Sequence, residues 1–135
     1  MRRSLFALPL LIALAGCGGG SSDVNSASPY AGTYTGTWVS LTDTSDAGTA
    51  TWTVGNDGTI SGTDVDPGRE TTFSIAGRID ANGNVTTTST PAGGGEAATL
   101  NGRLVFEIEG PLAGTLTWNI ATPTSYRYAF TRQAN

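Results

Sequence analysis

Histidine and lysine are missing from all 135 residues, and cysteine occurs once, at Cys17. Without histidine the commonest general base and the commonest metal ligand are gone. Serine or cysteine triads that pass a proton through imidazole are excluded as well. A single cysteine forms no disulfide within the chain and builds no cysteine-based metal site. Without lysine, positive charge rests on seven arginines against eleven acidic residues, a formal net charge of −4. An acidic surface of this kind argues against nucleic acid and against electrostatic attraction to anionic headgroups. Beyond the N-terminal leader no stretch sustains a 3.6-residue apolar period, which excludes amphipathic helices as the main element. Long apolar runs are scarce too. The one such run, Leu5 to Leu14, is interrupted by Pro9 and falls short of the roughly 20 residues of a membrane-spanning helix.

What is present begins with that run. Arg2 and Arg3 precede it, and Leu14-Ala15-Gly16-Cys17 ends it. A basic start, a short apolar centre and a small-residue end are the three parts of a secretory signal. The tetrapeptide resembles the lipobox of bacterial lipoproteins. The resemblance implies cleavage before Cys17 and lipidation of its sulfur with diacylglycerol, with a further acyl chain on the new amine in many species. Two or more acyl chains anchor a protein stably where one does not. Gly18 stands where an Asp retains enteric lipoproteins in the inner membrane, so the resemblance points to the outer membrane. Residues 1–16 are thus expected to be a signal peptide, and the mature chain would carry five arginines against eleven acids.

Residues 17–29 are mostly Gly, Ser, Asn and Asp and are expected to form a flexible tether. Residues 30–135 are expected to form one domain with one core. Turn signals recur about every ten residues. They are Gly55-Asn56-Asp57-Gly58, Asp66-Pro67-Gly68, Asp80-Ala81-Asn82-Gly83, Pro91-Ala92-Gly93, Glu109-Gly110-Pro111 and Thr122-Pro123. Between them the residues alternate with period two. Tyr34, Gly36 and Trp38 share a face, as do Ala50, Trp52 and Val54, Ile60 and Gly62, and Phe73, Ile75, Gly77 and Ile79. Val85 follows, then Leu100, Gly102, Leu104, Phe106 and Ile108, then Leu112, Gly114, Leu116, Trp118 and Ile120, and finally Tyr126, Tyr128 and Phe130. The opposite faces are rich in Thr, Ser, Asn, Arg and Glu. This pattern predicts an all-β fold, an eight-stranded antiparallel up-and-down barrel around one core. Gly36, Gly62, Gly77, Gly102 and Gly114 fall in phase on the apolar face. Two reasons for them stand side by side: sharp strand bending in a small barrel, which is favoured, and room for a ligand.

Pieces between Ala31 and Asp80 resemble the first strands of avidin-type barrels: Thr35-Gly36-Thr37-Trp38, Val54 to Thr63, and Ala76-Gly77-Arg78-Ile79-Asp80. Ala129-Phe130-Thr131-Arg132 resembles their closing strand. The Gly-x-Trp opening is similar to that of lipocalins, in which a late-strand arginine packs across the tryptophan. The resemblance implies the barrel fold and a stacking of Arg132 on Trp38, worth roughly 0.5–2 kcal/mol. It does not carry biotin over. Val39-Ser40, Gly62-Thr63-Asp64 and Tyr128 replace the polar groups that hold biotin in that family.

The candidate site residues are Trp38, Trp52, Trp118, Tyr126, Tyr128, Phe130 and Arg132, which either pack as core or line an apolar pocket. Glu107 and Glu109 lie on the wet face and read as solubilising charges. Asp80-Ala81-Asn82-Gly83-Asn84 begins like a calcium loop, but its glycine comes too early and a hairpin turn explains it better. Asp43, Asp46, Asp64 and Asp66 are placed to gather at one barrel mouth, where a weak cation site stands against ordinary loop acids. No cofactor is implied and no catalytic role is expected. The functional expectation is a non-catalytic cell-envelope binding module for a protein or glycan. The alternatives are a carrier or sensor of a small apolar ligand inside the barrel and, last, a carboxylate-based enzyme.

Overall fold

The computed structural model describes residues 27–135. The expected signal segment, Cys17 and most of the expected tether lie outside the described residues. Eight strands follow in order: β1 (Gly32–Ser40), β2 (Ala47–Val54), β3 (Thr59–Asp66), β4 (Thr71–Ile79), β5 (Asn84–Pro91), β6 (Ala98–Phe106), β7 (Leu112–Asn119) and β8 (Thr124–Arg132). Each pairs antiparallel with the next, and β1 pairs with β8, so the sheet closes into an up-and-down barrel. The topology is consistent with the lipocalin- and avidin-like barrels expected from the sequence. Closure removes the free edges that an open sheet would expose to other strands.

The period-two alternation places Tyr34, Trp52, Val54, Ile60, Ile75, Ile79, Val85, Leu100, Leu104, Leu112, Leu116, Tyr128 and Phe130 in one buried cluster. The middle of the barrel is filled by the largest of these. Trp52 and Phe130 have ring centroids 4.9 Å apart, and Tyr128 stacks on Phe130 at 5.7 Å. The in-phase glycines are the points where neighbouring strands approach each other. A Cβ on Gly62 would lie 2.2 Å from the Thr51 carbonyl oxygen, and one on Gly102 would lie 2.2 Å from that of Thr115. The space above them is occupied by the partner strands' side chains, Trp52 opposite Gly62 and Leu116 opposite Gly102. The geometry gives a reason beside the two open at the outset, the close approach of neighbouring strands.

The two ends of the barrel differ. One is closed by the turns at 55–58, 80–83 and 107–111 and by the incoming chain. Tyr30 is buried there and stacks on Phe106 at 5.5 Å, and Ser28 N–H donates to the Asn56 carbonyl. Arg132 secures this end. Its guanidinium lies 5.4 Å from the Tyr34 ring centroid and 5.3 Å from that of Phe106. It donates to the Tyr34 hydroxyl and to the Pro29 carbonyl, and the Tyr34 hydroxyl donates to the Tyr30 carbonyl at 2.7 Å. The other end is formed by the segments 41–46, 67–70, 92–97 and 120–123 and is the open one.

Four expectations are corrected here. Arg132 does not stack on Trp38, because the register sets it opposite Tyr34 and sets Trp38 opposite Tyr128, nearer the open end. Ile108 does not point inward. It is 99% exposed, because β6 stops at Phe106 and Ile108 rides the tip of the following turn. Ile120 lies past the end of β7 and is 42% exposed for the same reason, and Phe106, at the last place of β6, is 45% exposed and covers the barrel end from outside.

The close approaches predict a sharp intolerance. Gly102→Ala is expected to destabilise the protein by about 2 kcal/mol or more, since the added methyl meets backbone that moves only if two strands part. Urea unfolding of the two proteins measures it, and an unchanged midpoint would contradict the packing described.

Candidate functional site

Alternation on β3 does not stop with its apolar residues. The phase that points Ile60 and Gly62 inward continues to Asp64 and Asp66, and both carboxylates are buried. The same continuation on β5 brings Thr87 and Ser89 inside after Val85, and on β1 it brings Ser40 inside after Trp38. The barrel is therefore apolar towards its closed end and polar towards its open end.

Asp64 marks the change. It accepts a hydrogen bond from Trp52 Nε1 at 2.7 Å and one from the Tyr128 hydroxyl at 2.6 Å. Three strands, β2, β3 and β8, are thereby joined through one carboxylate. Burial pushes the Asp64 carboxyl up to about 6, against the lowering effect of the bonds from Tyr128 and Trp52. Burial likewise holds the Tyr128 phenol well above its ordinary range, and the neighbouring Asp64 charge adds to the effect.

Asp66 sits nearer the rim, where Arg69 folds back on it. The Asp66 carboxylate accepts from the Arg69 backbone N–H at 3.0 Å and from Arg69 Nη1. The same guanidinium reaches Asp46 at 3.4 Å, and Asp46 accepts from the Tyr126 hydroxyl at 3.2 Å. Asp43 is turned away into its own loop, where it accepts from the Ser45 hydroxyl. Of the four aspartates expected at one mouth, three are therefore gathered and one is not. Their oxygens are taken up by arginine, tyrosine and tryptophan donors. Among the described residues, no group of three or more acidic side chains is placed to hold a metal. The stretch from Asp80 to Asn84 is a hairpin turn at the closed end, with the Asp80 carboxylate accepting from the Asn82 and Asn84 backbone N–H groups. Glu107 is at the surface, paired with Arg127 at 2.8 Å.

Above Asp64 lies a small recess with a cavity volume of about 30 Å³. Aromatic rings form its walls in two edge-on pairs, Trp38 with Tyr126 at 5.4 Å and Phe73 with Trp118 at 5.6 Å. Gly48 makes the seat for Trp38: a Cβ there would lie 2.4 Å from Trp38 Cζ2. Asp64, Asp66, Arg69, Ser89 and Leu100 complete the lining. Both wall indoles have a buried Nε1 with no hydrogen-bond partner among the described residues. A buried donor left unpaired costs about 1–3 kcal/mol, so these two N–H groups call for an acceptor.

The seven candidate residues thus divide. Trp38, Trp118, Tyr126 and Tyr128 come together around the recess. Trp52 and Phe130 lie deeper as core, and Arg132 is at the opposite end. Sequence reasoning set Asp64 and Asp66 among the mouth acids without turning them inward, and it missed Ser89 and Arg69 altogether. The strand phase, carried two residues past Gly62, signals the first two. No family model, no curated protein and no solved structure matches the chain.

The buried carboxyl gives a pH dependence of definite sign. The folded state holds a proton on Asp64 up to about pH 6, whereas the unfolded chain releases it near the ordinary value of 3.8. The stability this group contributes is complete below the unfolded value and is lost as the pH rises through the folded one. The difference is worth about 3 kcal/mol at about 1.4 kcal/mol per unit. Urea unfolding between pH 4 and pH 7 is expected to show the protein losing stability relative to its Asp64→Asn variant by roughly that amount. Parallel profiles would mean that Asp64 titrates as an exposed carboxyl does.

Proposed function

We propose that the protein is a non-catalytic, lipid-anchored binding module of the cell envelope. In this reading it is held to the outer membrane through lipid on Cys17 and binds its partner at the open end of the barrel. The observation that carries the reading is the polarity of the fold. The N-terminal side of the chain meets the barrel at its closed end, pinned by the Arg132 bond to Pro29 and the Ser28 bond to Asn56. The recess with its two unpartnered indoles opens at the other end. A chain anchored by its N-terminal side would present that recess away from the membrane.

The filled middle of the barrel weighs against carriage of an apolar ligand there, because Trp52, Tyr34 and Phe130 occupy the space such a guest needs. The carboxylate arrangement weighs against catalysis. A catalytic pair needs oxygens free to reach a substrate. Asp64 is engaged on both oxygens by Trp52 and Tyr128, and Asp66 on both by Arg69.

Two experiments test the reading. Cys17→Ala is expected to move the protein from the membrane fraction to the soluble one, and equal membrane retention would remove the anchor from the proposal. Hydrogen exchange of the intact protein mixed with isolated cell envelopes is expected to show new protection at 41–46, 67–70, 92–97 and 120–123. Protection only at the closed-end turns, or none, would show that the open end is not the binding face.

A further inference from the structure

The N-terminal side of the chain meets the barrel beside one particular turn. Tyr30 stacks on Phe106, and Arg132 lies over the Phe106 ring while donating to the Pro29 carbonyl. Phe106 is the last residue of β6, and the turn from Glu107 to Gly110 follows it directly. Cys17 stands ten residues before Ala27. Ten residues reach no further than about 36 Å, whatever course they take. If Cys17 carries lipid, the closed end lies within that distance of the bilayer, and this turn is next to the place where the chain departs towards it.

At the tip of the turn Ile108 is 99% exposed. A single apolar residue in the open needs no explanation. Here Phe106 and Val105, just behind it on β6, are exposed in part as well, so one corner of the barrel is apolar. The turn has a fixed shape. Gly110 N–H donates to the Glu107 carbonyl, Glu107 N–H donates to the Pro111 carbonyl, and Glu109 is left-handed at φ 52°. Residues other than glycine adopt that conformation at some cost, so the turn that holds Ile108 out is itself mildly strained.

Charge separates the two ends. Arg78 donates to the Asp57 carbonyl, Arg103 to the Asn82 carbonyl, Arg127 to Glu107 and Arg132 to the Pro29 carbonyl. Four of the five arginines among the described residues thus bring their guanidinium groups to the closed end, where they balance Asp57, Asp80, Glu107 and Glu109. The open end sets Arg69 against Asp43, Asp46, Asp64, Asp66, Glu70 and Glu96. A phospholipid surface presents phosphates, and it repels an acidic end over about 8–10 Å at moderate salt. The neutral end is the one that approaches it without that cost. Leu41 and Ile120 are exposed too, but they stand at the acidic end.

We propose that the turn from Glu107 to Gly110 is a membrane contact: Ile108 enters the phospholipid surface that bears the anchor and holds the barrel upright, open end outward. The inference rests on the reading of Cys17 as lipidated. So small a contact does not recruit a free protein to a membrane. In an anchored protein it is an intramolecular event, for which one side chain suffices. Glu109 limits the depth, because its carboxylate stays among the headgroups, and the Glu107 charge is already met by Arg127 at 2.8 Å.

The test uses the full-length protein in vesicles of phosphatidylcholine and phosphatidylethanolamine. A lipidated Cys17 is a thioether and takes no thiol reagent, so a thiol introduced by Ile108→Cys alone carries an environment-sensitive nitrobenzoxadiazole dye. Ile120→Cys, labelled in the same way, reports on the open end. The dye at 108 is expected to emit to the blue of the dye at 120 and to be quenched at least about threefold more strongly by nitroxide on the lipid acyl chains. In a Cys17→Ala background the dye at 108 is expected to keep its emission in water when vesicles are added, which shows that the dye itself does not seek the membrane. A dye placed by Val105→Cys leaves Ile108 intact, and adding Ile108→Asp is expected to reduce its quenching by headgroup nitroxide at least about twofold. Emission at 108 typical of water, or equal quenching at 108 and 120, overturns the inference; if the protein still floats with the vesicles, the anchor reading stands. A blue shift at 108 without acyl-chain quenching overturns it too, since a second copy of the protein then covers the turn. If the unsubstituted protein takes the dye at Cys17 and does not float with the vesicles, both fail.

Discussion

The pairing of β1 with β8 is the constraint on which both ends of the molecule depend. It turns a meander of hairpins into a closed wall, and its register decides what meets what. Gly36 stands opposite Phe130 at the middle of the seam. A Cβ on Gly36 would lie 2.1 Å from the Ala129 carbonyl oxygen, so the two strands close only over a residue without a side chain. Towards one end the register brings Arg132 to Tyr34, and the closed end is built on that contact. Towards the other it brings Trp38 beside Tyr128 and Ser40 beside Tyr126, and the recess is built on those. A slip of one residue along this seam would exchange inward for outward side chains on one of the two strands and abolish both ends together.

Asp64 then divides the interior. Below it the packing is aromatic and aliphatic and almost dry. Above it stand Asp66, Ser89 and the two unpaired indoles. A carboxylate at this depth is tolerable because both of its oxygens are hydrogen-bonded, yet burial still outweighs those bonds and favours the protonated form. The polar layer is therefore held at some cost in stability.

Most of the architecture was legible in the sequence. Period-two alternation and recurring turn signals set out eight strands, and a closed antiparallel barrel followed from them. The in-phase glycines were read as bending points or as room for a ligand, and the close strand approach that they permit was not foreseen. The misses have two physical sources. Alternation holds only while the strand lasts, so Ile108 and Ile120, placed inward by extrapolation, lie beyond the strand ends in the open. Register between distant strands is set by closure and by no local pattern, so Arg132 was assigned to Trp38 when it faces Tyr34. The site itself was half legible. Trp38, Trp118, Tyr126 and Tyr128 declare themselves as inward aromatics, whereas Asp64, Asp66 and Ser89 were obscured by the expectation that inward positions are apolar. Arg69 lies in a turn and reaches the site only by folding back, which no periodicity encodes.

The arrangement of the two ends also has a mechanical side. A pull between the N-terminal side of the chain and the open end runs along the axis of β1, which is hydrogen-bonded to β2 on one flank and to β8 on the other. Such a load does not unzip the strand one bond at a time. It shears two antiparallel ladders at once, so that many bonds must yield together before β1 slides. The Ser28 and Pro29 contacts lie ahead of that strand and would give first, acting as a fuse that lengthens the chain while the barrel keeps its shape.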